Sequence, residues 1–254
     1  MLSKDRQEKT SFAARQKKFM RSRQAEVEYA RKLRSIAKQV GNIVHGFTVR
    51  GKVTHREELD KALRDYSEMI KPWAKAVAQK MLDELQSKDE AMWHEMGSEM
   101  GRNLRREIQF ARTGSLMQEA LTAQVSLITS IPLEAAQRVN ELTLAGIADS
   151  TRASEIAEMI MATEEVTRSR ATLIARTEVA RTSTELTKAR SEIAGVTHYI
   201  WRTAGDSDVR HSHKEMNGKI IPFAKEPEVE PGKFYHAGCF PNCRCYAEPI
   251  VPDE

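Results

Sequence analysis

Apolar residues recur every three or four positions along much of the first 195 residues, which predicts a mainly helical region. One such stripe contains Leu59, Leu63, Tyr66, Ile70, Trp73, Val77 and Met81. Pro72 falls inside this stripe and should kink the helix or split it in two. A second stripe contains Trp93, Met96, Met100, Leu104 and Ile108. We expect both stripes to pack in helix–helix cores.

Start and stop signals divide this pattern into separate helices. Residues 54–57 and residues 87–90 each have the Ser/Thr-x-x-Glu spacing of a capping box, so each should open a helix. Three glycines in residues 41–51 predict a loop or a short hairpin. Pro132 indicates a new helix after one that ends near residue 128. Residues 163–193 predict a long helix that ends at a glycine.

The pattern changes after residue 195. Residues 196–202 alternate and are rich in β-forming side chains, which predicts a strand. Asn-Gly at positions 217 and 218 predicts a turn before a short strand at 219–222. A proline-containing segment after it should be an irregular loop, and residues 244–248 should form a last strand.

These patterns predict a mainly α fold, with an elongated helical stem and a small C-terminal α+β module. We divide the chain into four segments. They are a basic helical arm at 1–40, a helical stem at 41–129, a second helical region at 130–195 and a Cys/His module at 196–254.

Charge is concentrated at the beginning of the chain. The first 40 residues hold 12 Lys and Arg against 4 Asp and Glu, whereas the whole chain has a net charge of only +4. A basic arm favours a polyanion or an acidic protein surface as partner, although a solvated helical extension has the same composition. Contact with nucleic acid would be to phosphates and independent of sequence. The candidate contact residues are Arg15, Lys17, Lys18, Arg21 and Arg23.

Several functional classes find no support in the pattern. No apolar run reaches about 18 residues, so we expect no membrane partner. The first residues lack an apolar core of a secretory signal, which favours the cytoplasm. No HExxH, Gly-rich phosphate loop or GxSxG motif is present, and we therefore expect no enzyme. A metal-dependent phosphodiesterase is the alternative, with ligands at Asp206, Asp208, His211 and His213.

Cysteine and histidine are concentrated in the last 60 residues. All three cysteines lie between positions 239 and 245, and four of the seven histidines lie between 198 and 236. Thiolates and imidazoles are the usual ligands of structural zinc, and a small module with short strands would gain stability from such a cross-link. Two alternatives stay open: a reduced cluster without metal, and a disulfide with one free thiol.

Three motifs stand in a recognisable order within residues 130–250. Residues 175–178 read ARTE, residues 206–213 read DSDVRHSH and residues 242–245 read NCRC. This order resembles the phage Mu F-like minor head protein family, which includes head morphogenesis proteins of tailed phages.

The resemblance implies a structural role in virion assembly. Its members act during procapsid formation, and they associate with the portal vertex or the inner capsid. The implied partners are the portal protein, the major capsid protein or both, with DNA contact through the basic arm. A DNA-binding adaptor remains the other alternative. The implied location is the virion, with the host cytoplasm during assembly.

One position departs from the family pattern. The family commonly closes with His-Pro-Asn-Cys-Arg-Cys, whereas Phe240 stands here at the histidine position. The resemblance therefore leads to a predicted zinc ligand set with one substitute for the missing histidine. The predicted ligands are His213, Cys239, Cys243 and Cys245, with His236 as substitute. The resemblance also implies a polar brace for the module, formed by Arg176, Glu178, Asp206 and Arg210.

Overall fold

The computed structural model describes residues 22–49, 52–96, 113–148 and 153–251. The helices among them are α1 (Arg23–Gly46), α2 (Arg56–Met69), α3 (Lys71–Met96), α4 (Gly114–Ala148), α5 (Ala153–Met161), α6 (Thr163–Ile193) and α7 (His211–Met216). The strands are β1 (Thr48–Val49), β2 (Lys52–Val53), β3 (His198–Arg202), β4 (Ile220–Pro222), β5 (Glu228–Glu230), β6 (Lys233–Phe234) and β7 (Tyr246–Pro249). Long helices followed by a small C-terminal strand module confirm the predicted fold class.

Part of the predicted basic arm falls outside the described residues. Arg15, Lys17, Lys18 and Arg21 lie there, as do Met100, Leu104 and Ile108 of the second apolar stripe. Arg23 is the first residue of α1.

The proline in the first stripe divides two helices, as predicted. α2 ends at Met69, and α3 begins at Lys71 after a one-residue turn. Pro72 lies in the first turn of α3, where its missing N–H removes no intrahelical hydrogen bond. The proposed helix start at residues 87–90 is wrong, because α3 continues through it. Buried Leu82, Leu85, Met92 and Trp93 line α3 before and after that segment, so packing outweighs the local signal.

The pattern at residues 54–57 correctly predicts a helix start, since α2 begins at Arg56, but Thr54 does not cap that helix. The hydroxyl and the N–H of Thr54 both donate to the Phe47 carbonyl oxygen, at 3.0 and 2.8 Å. Thr54 therefore closes the β1–β2 hairpin, and α2 begins only after His55, which has a left-handed φ of 56°. The antiparallel pairing of β1 with β2 agrees with the loop or short hairpin predicted for residues 41–51, although α1 extends into that segment as far as Gly46.

Pro132 does not begin a helix. It lies inside α4, which is continuous from Gly114 to Ala148. A proline inside a helix costs about 3 kcal/mol. Buried apolar residues on both sides of it offset this cost by packing, and they are Leu121, Ile128, Ile131, Ala135 and Val139.

The described chain forms two compact units. The first contains the described parts of 1–25, 82–117 and 176–254, and the second those of 26–81 and 118–175. In the second unit, the Tyr29 hydroxyl donates to Gln124 Oε1 at 2.8 Å, and the Ser67 hydroxyl donates to the Thr129 carbonyl oxygen at 2.7 Å. In the first unit, Arg190 of α6 forms a buried ion pair with Asp89 of α3. The four-segment division from the sequence stays a prediction.

The C-terminal module is built on a three-stranded antiparallel sheet in the order β4-β3-β7. Tyr199 in the central strand lies opposite Ile221 on one side and Pro249 on the other. The sheet buries a cluster that includes Val196, Tyr199, Trp201, Met216, Phe223, Val229, Phe240 and Ala247. The segment expected to be an irregular loop contains a second hairpin, β5–β6, because Gly232 allows its tight turn with φ of 71°.

The helices of the described residues include none with the length and apolar character needed to cross a lipid bilayer.

Candidate metal site

Three of the predicted ligands come together in the C-terminal module. His213 lies in α7, and Cys243 and Cys245 precede β7. His213 Nδ1 is 3.3 Å from Cys243 Sγ and 3.4 Å from Cys245 Sγ. One ligand atom from each residue lies within 4.8 Å of the others, and all three residues are buried. This buried His/Cys/Cys group could hold a metal ion.

The local backbone explains why the two cysteines converge. The Cys243 N–H donates to the Phe240 carbonyl oxygen at 3.0 Å, which closes a turn directly before the two cysteines. The Cys245 N–H also donates to Cys243 Sγ at 3.3 Å. Asn242, just before them, has a positive φ of 59° and turns the chain into this segment.

The segment with the cysteines is anchored on α6. Arg176 Nη1 donates to Asn242 Oδ1 at 2.7 Å, and the Asn242 N–H donates to Thr177 Oγ1 at 3.0 Å. Five residues before Asn242, the Ala237 carbonyl oxygen accepts a bond of 2.7 Å from the Thr184 hydroxyl. The ARTE and NCRC motifs, about 65 positions apart in the sequence, are therefore in direct contact.

Two further arginines connect this segment to the loop before α7. Arg210 Nη2 donates to the Pro241 carbonyl oxygen at 3.1 Å, and its guanidinium lies 4.8 Å from the centre of the Phe240 ring. Arg244, between the cysteines, forms ion pairs of 2.6 Å with Asp206 and 3.3 Å with Asp208. Sequence reasoning did not single out Arg244, although its place between two candidate ligands was a usable signal.

The predicted brace residues thus have different surroundings. Arg176, Arg210 and Asp206 all contact the 240–244 segment. Glu178 is buried in α6 and pairs with Arg181 at 3.3 Å. The role of these four residues as a brace stays a prediction.

Electrostatics at the site favours a thiolate on Cys243. Its pKa is lowered to about 4, first by a hydrogen bond from Cys245 and then by His213, and these effects outweigh the opposing effect of burial. The thiolate is the form that binds metal ions.

His213 lies in an aromatic environment. Its ring makes edge contacts with Trp201 and Phe240, at centroid distances of 5.8 and 5.3 Å. Its Nε2 atom is buried and has no hydrogen-bond partner among the described residues. The contacts with the cysteines therefore involve Nδ1 alone.

The other two predicted ligands lie outside the His/Cys/Cys group. Cys239 is buried, and desolvation raises the pKa of its thiol. His236 Nδ1 is 3.2 Å from the Tyr199 hydroxyl, and the two rings make an edge contact at a centroid distance of 5.7 Å. Burial lowers the pKa of His236, so its neutral form is favoured.

The carboxylates of the phosphodiesterase alternative are engaged elsewhere. Asp206 and Asp208 pair with Arg244, and Asp206 also accepts the Asp208 N–H at 3.1 Å. His211 is exposed and lies 3.4 Å from Glu215. Of these four residues, the metal group found among the described residues contains only His213.

The described residues therefore form long helices and a small strand module that contains a buried His/Cys/Cys group. Residues 137–248 match the family model described as Phage Mu protein F like protein. Residues 137–248 are therefore similar to the Phage Mu protein F like family, which confirms the resemblance inferred from the motifs.

A relative from Haemophilus influenzae (strain ATCC 51907 / DSM 11121 / KW20 / Rd), described as an uncharacterized protein, is 31% identical over 136 residues. The match covers 53% of this chain and spans only 30% of that relative's length. No solved structure matches the chain.

Proposed function

We propose that this chain is a non-enzymatic minor capsid protein of a tailed phage that acts in head morphogenesis. It joins the assembling procapsid at or near the portal vertex, binds the portal protein or the major capsid protein, and stays in the virion. The support is the match of residues 137–248 to the Phage Mu protein F like family.

The observation that carries the proposal is the contact between the two motifs of the resemblance. Arg176 of α6 donates a hydrogen bond to the side-chain oxygen of Asn242, and the Thr177 hydroxyl accepts the Asn242 backbone N–H. Because the contact joins two elements, it fixes the strand module on a long helix, as a structural protein needs for presenting a rigid surface to partners.

A structural zinc ion belongs to the same proposal. The donor set of two cysteines and one histidine fits zinc, for which thiolates and imidazoles are the usual ligands. The module has strands of only two to five residues, so a bound ion would supply cross-linking that its small core does not.

The basic arm supplies the proposed DNA contact. Arg15, Lys17, Lys18, Arg21 and Arg23 would neutralise phosphates of packaged DNA and read no sequence. Random-sequence duplex DNA, titrated by fluorescence anisotropy at rising salt, should show a steep loss of affinity. A variant with these five residues changed to glutamine should bind weakly and with a flatter salt slope. Equal slopes for both proteins would remove the DNA contact from the proposal.

The assembly role is tested in the phage that encodes the chain. Particles from the wild type should contain the protein by mass spectrometry, cross-linked to portal or major capsid protein. An Arg176→Ala, Asn242→Ala variant should give fewer intact procapsids by electron microscopy. Arg64→Ala, which removes an exposed ion pair with Asp60 on α2, is the matched control and should assemble normally. Particles that lack the protein and assemble without its gene would contradict the proposal.

A further inference from the structure

The candidate metal site has three converging protein ligands, whereas structural zinc sites use four. His213, Cys243 and Cys245 are the members of the group that the structure brings within 4.8 Å. The question for this site is which donor takes the fourth position of a bound zinc ion.

His236 Nδ1 is engaged in a contact away from the metal group. In its neutral form, one ring nitrogen carries a proton and the other accepts a hydrogen bond. Nδ1 lies 3.2 Å from the Tyr199 hydroxyl, and the ring is not among the ligand atoms that lie within 4.8 Å of one another. The Tyr199 hydroxyl in turn accepts the Ala237 N–H at 3.3 Å. Tyr199 of β3 is therefore joined to the loop that contains His236 and Ala237, and metal binding through His236 Nδ1 would break this connection.

Cys239 is held away from the group by its own loop. Its N–H donates to the His236 carbonyl oxygen at 3.1 Å, and the adjacent Gly238 has a φ of 87°. A Cβ atom on Gly238 would lie only 2.9 Å from Thr184 Oγ1 and 3.0 Å from the Cys245 carbonyl oxygen. This close packing on α6 and on Cys245 opposes the loop movement that would bring Cys239 to the metal.

A buried donor beside the group lacks an acceptor. The Trp201 indole Nε1 is buried and has no hydrogen-bond partner among the described residues, and its ring contacts the His213 ring. Unpaired buried donors are rare in native proteins and call for an explanation. A small anion bound at the site would supply an acceptor for this N–H.

We propose that zinc is held by Cys243, Cys245 and His213 Nδ1, and that its fourth position takes water that a small anion can replace. Two thiolates balance the two charges of the ion, so the fourth ligand needs no charge of its own. This inference rests on the metal-binding part of the proposed function and replaces a closed four-residue site by one with an exchangeable position.

The full-length protein loaded with Co²⁺ in place of zinc tests the ligand set. Cys239→Ser should keep one Co²⁺ per chain and the full thiolate-to-metal charge-transfer band. Cys243→Ser is the matched variant of another buried cysteine, and it should lose about half of that band or the metal itself. A clear drop of the band in Cys239→Ser would show a third thiolate ligand and overturn the proposal.

Azide tests the exchangeable position. Titration of the Co²⁺-loaded wild type with sodium azide should shift the visible d–d bands in a saturable way. Trp201→Phe should retain Co²⁺ but bind azide about tenfold more weakly, because a hydrogen bond to an anion contributes about 1.5 kcal/mol or more. Bands that do not respond to azide would mean a fourth protein donor and would overturn the proposal.

The experiments distinguish an incorrect metal-site proposal from an incorrect assembly role. A wild-type protein that binds neither Zn²⁺ nor Co²⁺ overturns both the exchangeable site and the structural zinc. The particle composition and procapsid counts test the assembly role without reference to metal.

Discussion

At the scale of single residues, Gly238 shows how closely the loop before the cysteines approaches α6. Its φ of 87° belongs to the left-handed region, which a side chain rarely adopts. A Cβ atom there would also approach the Thr184 hydroxyl and the carbonyl oxygens of Cys245 and Ala180 within 2.9 to 3.2 Å. Both backbone strain and a steric conflict therefore oppose any other residue.

Gly238→Ala should lower the free energy of unfolding by about 2–4 kcal/mol, measured by urea denaturation. The control is Gly218→Ala, where φ is 85° but no atom lies within 4 Å of the added Cβ. Only backbone strain acts there, so we expect a loss of about 1–2 kcal/mol. Equal losses at the two positions would contradict the close approach to α6.

A second residue-scale prediction concerns the Cys243 thiolate. Its folded pKa of about 4 is below the ordinary thiol value of 9.0, so the folded state binds fewer protons than the unfolded state between these pH values. In metal-free protein with a chelator, its contribution to stability should rise as pH increases across this window and disappear as pH falls through about 4.

Urea unfolding of the wild type and Cys243→Ser at pH 5, 7 and 8.5 measures this contribution. The difference in unfolding free energy should grow with pH. A difference that stays constant would mean that Cys243 remains a thiol in the folded protein.

At the scale of elements, α6 anchors the cysteine segment through residues of the ARTE motif. A double-mutant cycle with Arg176→Ala and Asn242→Ala should give a coupling energy of about 0.5–1.5 kcal/mol by thermal or urea unfolding. The same cycle on Arg168 and Glu164, an exposed i,i+4 pair of the same helix, should give about 0.3–0.5 kcal/mol. Zero coupling between Arg176 and Asn242 would show that the two motifs do not stabilise each other.

A second contact between elements, the ion pair of Arg190 in α6 with Asp89 in α3, should affect the stability of the protein. Arg190 and Asp89 are both buried, and burial raises the pKa of Asp89 to about 6 although Arg190 lowers it. Arg190→Met would leave the Asp89 charge without its buried partner, at a cost of about 3–5 kcal/mol near neutral pH.

The pH dependence of the stability loss in Arg190→Met follows from the Asp89 carboxyl group. Without Arg190, the pKa of Asp89 in the folded protein should rise further above its value in the unfolded chain. The free energy of unfolding should therefore fall as pH increases towards that higher pKa. Unfolding measurements should therefore show a larger loss at pH 7.5 than at pH 5. Adding Asp89→Asn should recover part of the stability, and a loss independent of pH would contradict the buried charge.

At the scale of the whole molecule, the chain contains two compact units, each with its own buried contacts. Hydrogen exchange of the zinc-loaded wild type and of Cys243→Ser should differ in peptides from β3 and β7, which exchange faster when the metal group is lost. Peptides from the second unit around Tyr29 and Gln124, which share a buried hydrogen bond, should exchange alike in both proteins. Faster exchange throughout the chain would contradict a local role of the metal.

Periodic apolar positions predicted the helix pair around Pro72, the long α6 and the strands β3, β4 and β7, because these elements depend on local period and on turn residues. The pattern at residues 54–57 marked a real helix start without capping it, and the pattern at residues 87–90 marked none, for a physical reason. A Ser or Thr caps a helix only when its hydroxyl has no better partner and the preceding chain is not already helical. At Thr54, the Phe47 carbonyl oxygen is that partner.

The amino-acid sequence alone was enough to predict the mainly helical class, the small C-terminal module and the motif order that resembles the Phage Mu F-like family. These follow from periodicity and from residues that are close in sequence. Which of the five candidate ligands meet depends on the folded chain, since His213 reaches Cys243 and Cys245 across about 30 residues. The choice depends on long-range packing on α6, where Asn242 and Gly238 fix the loop, and on the hydrogen bonds that engage His236 elsewhere.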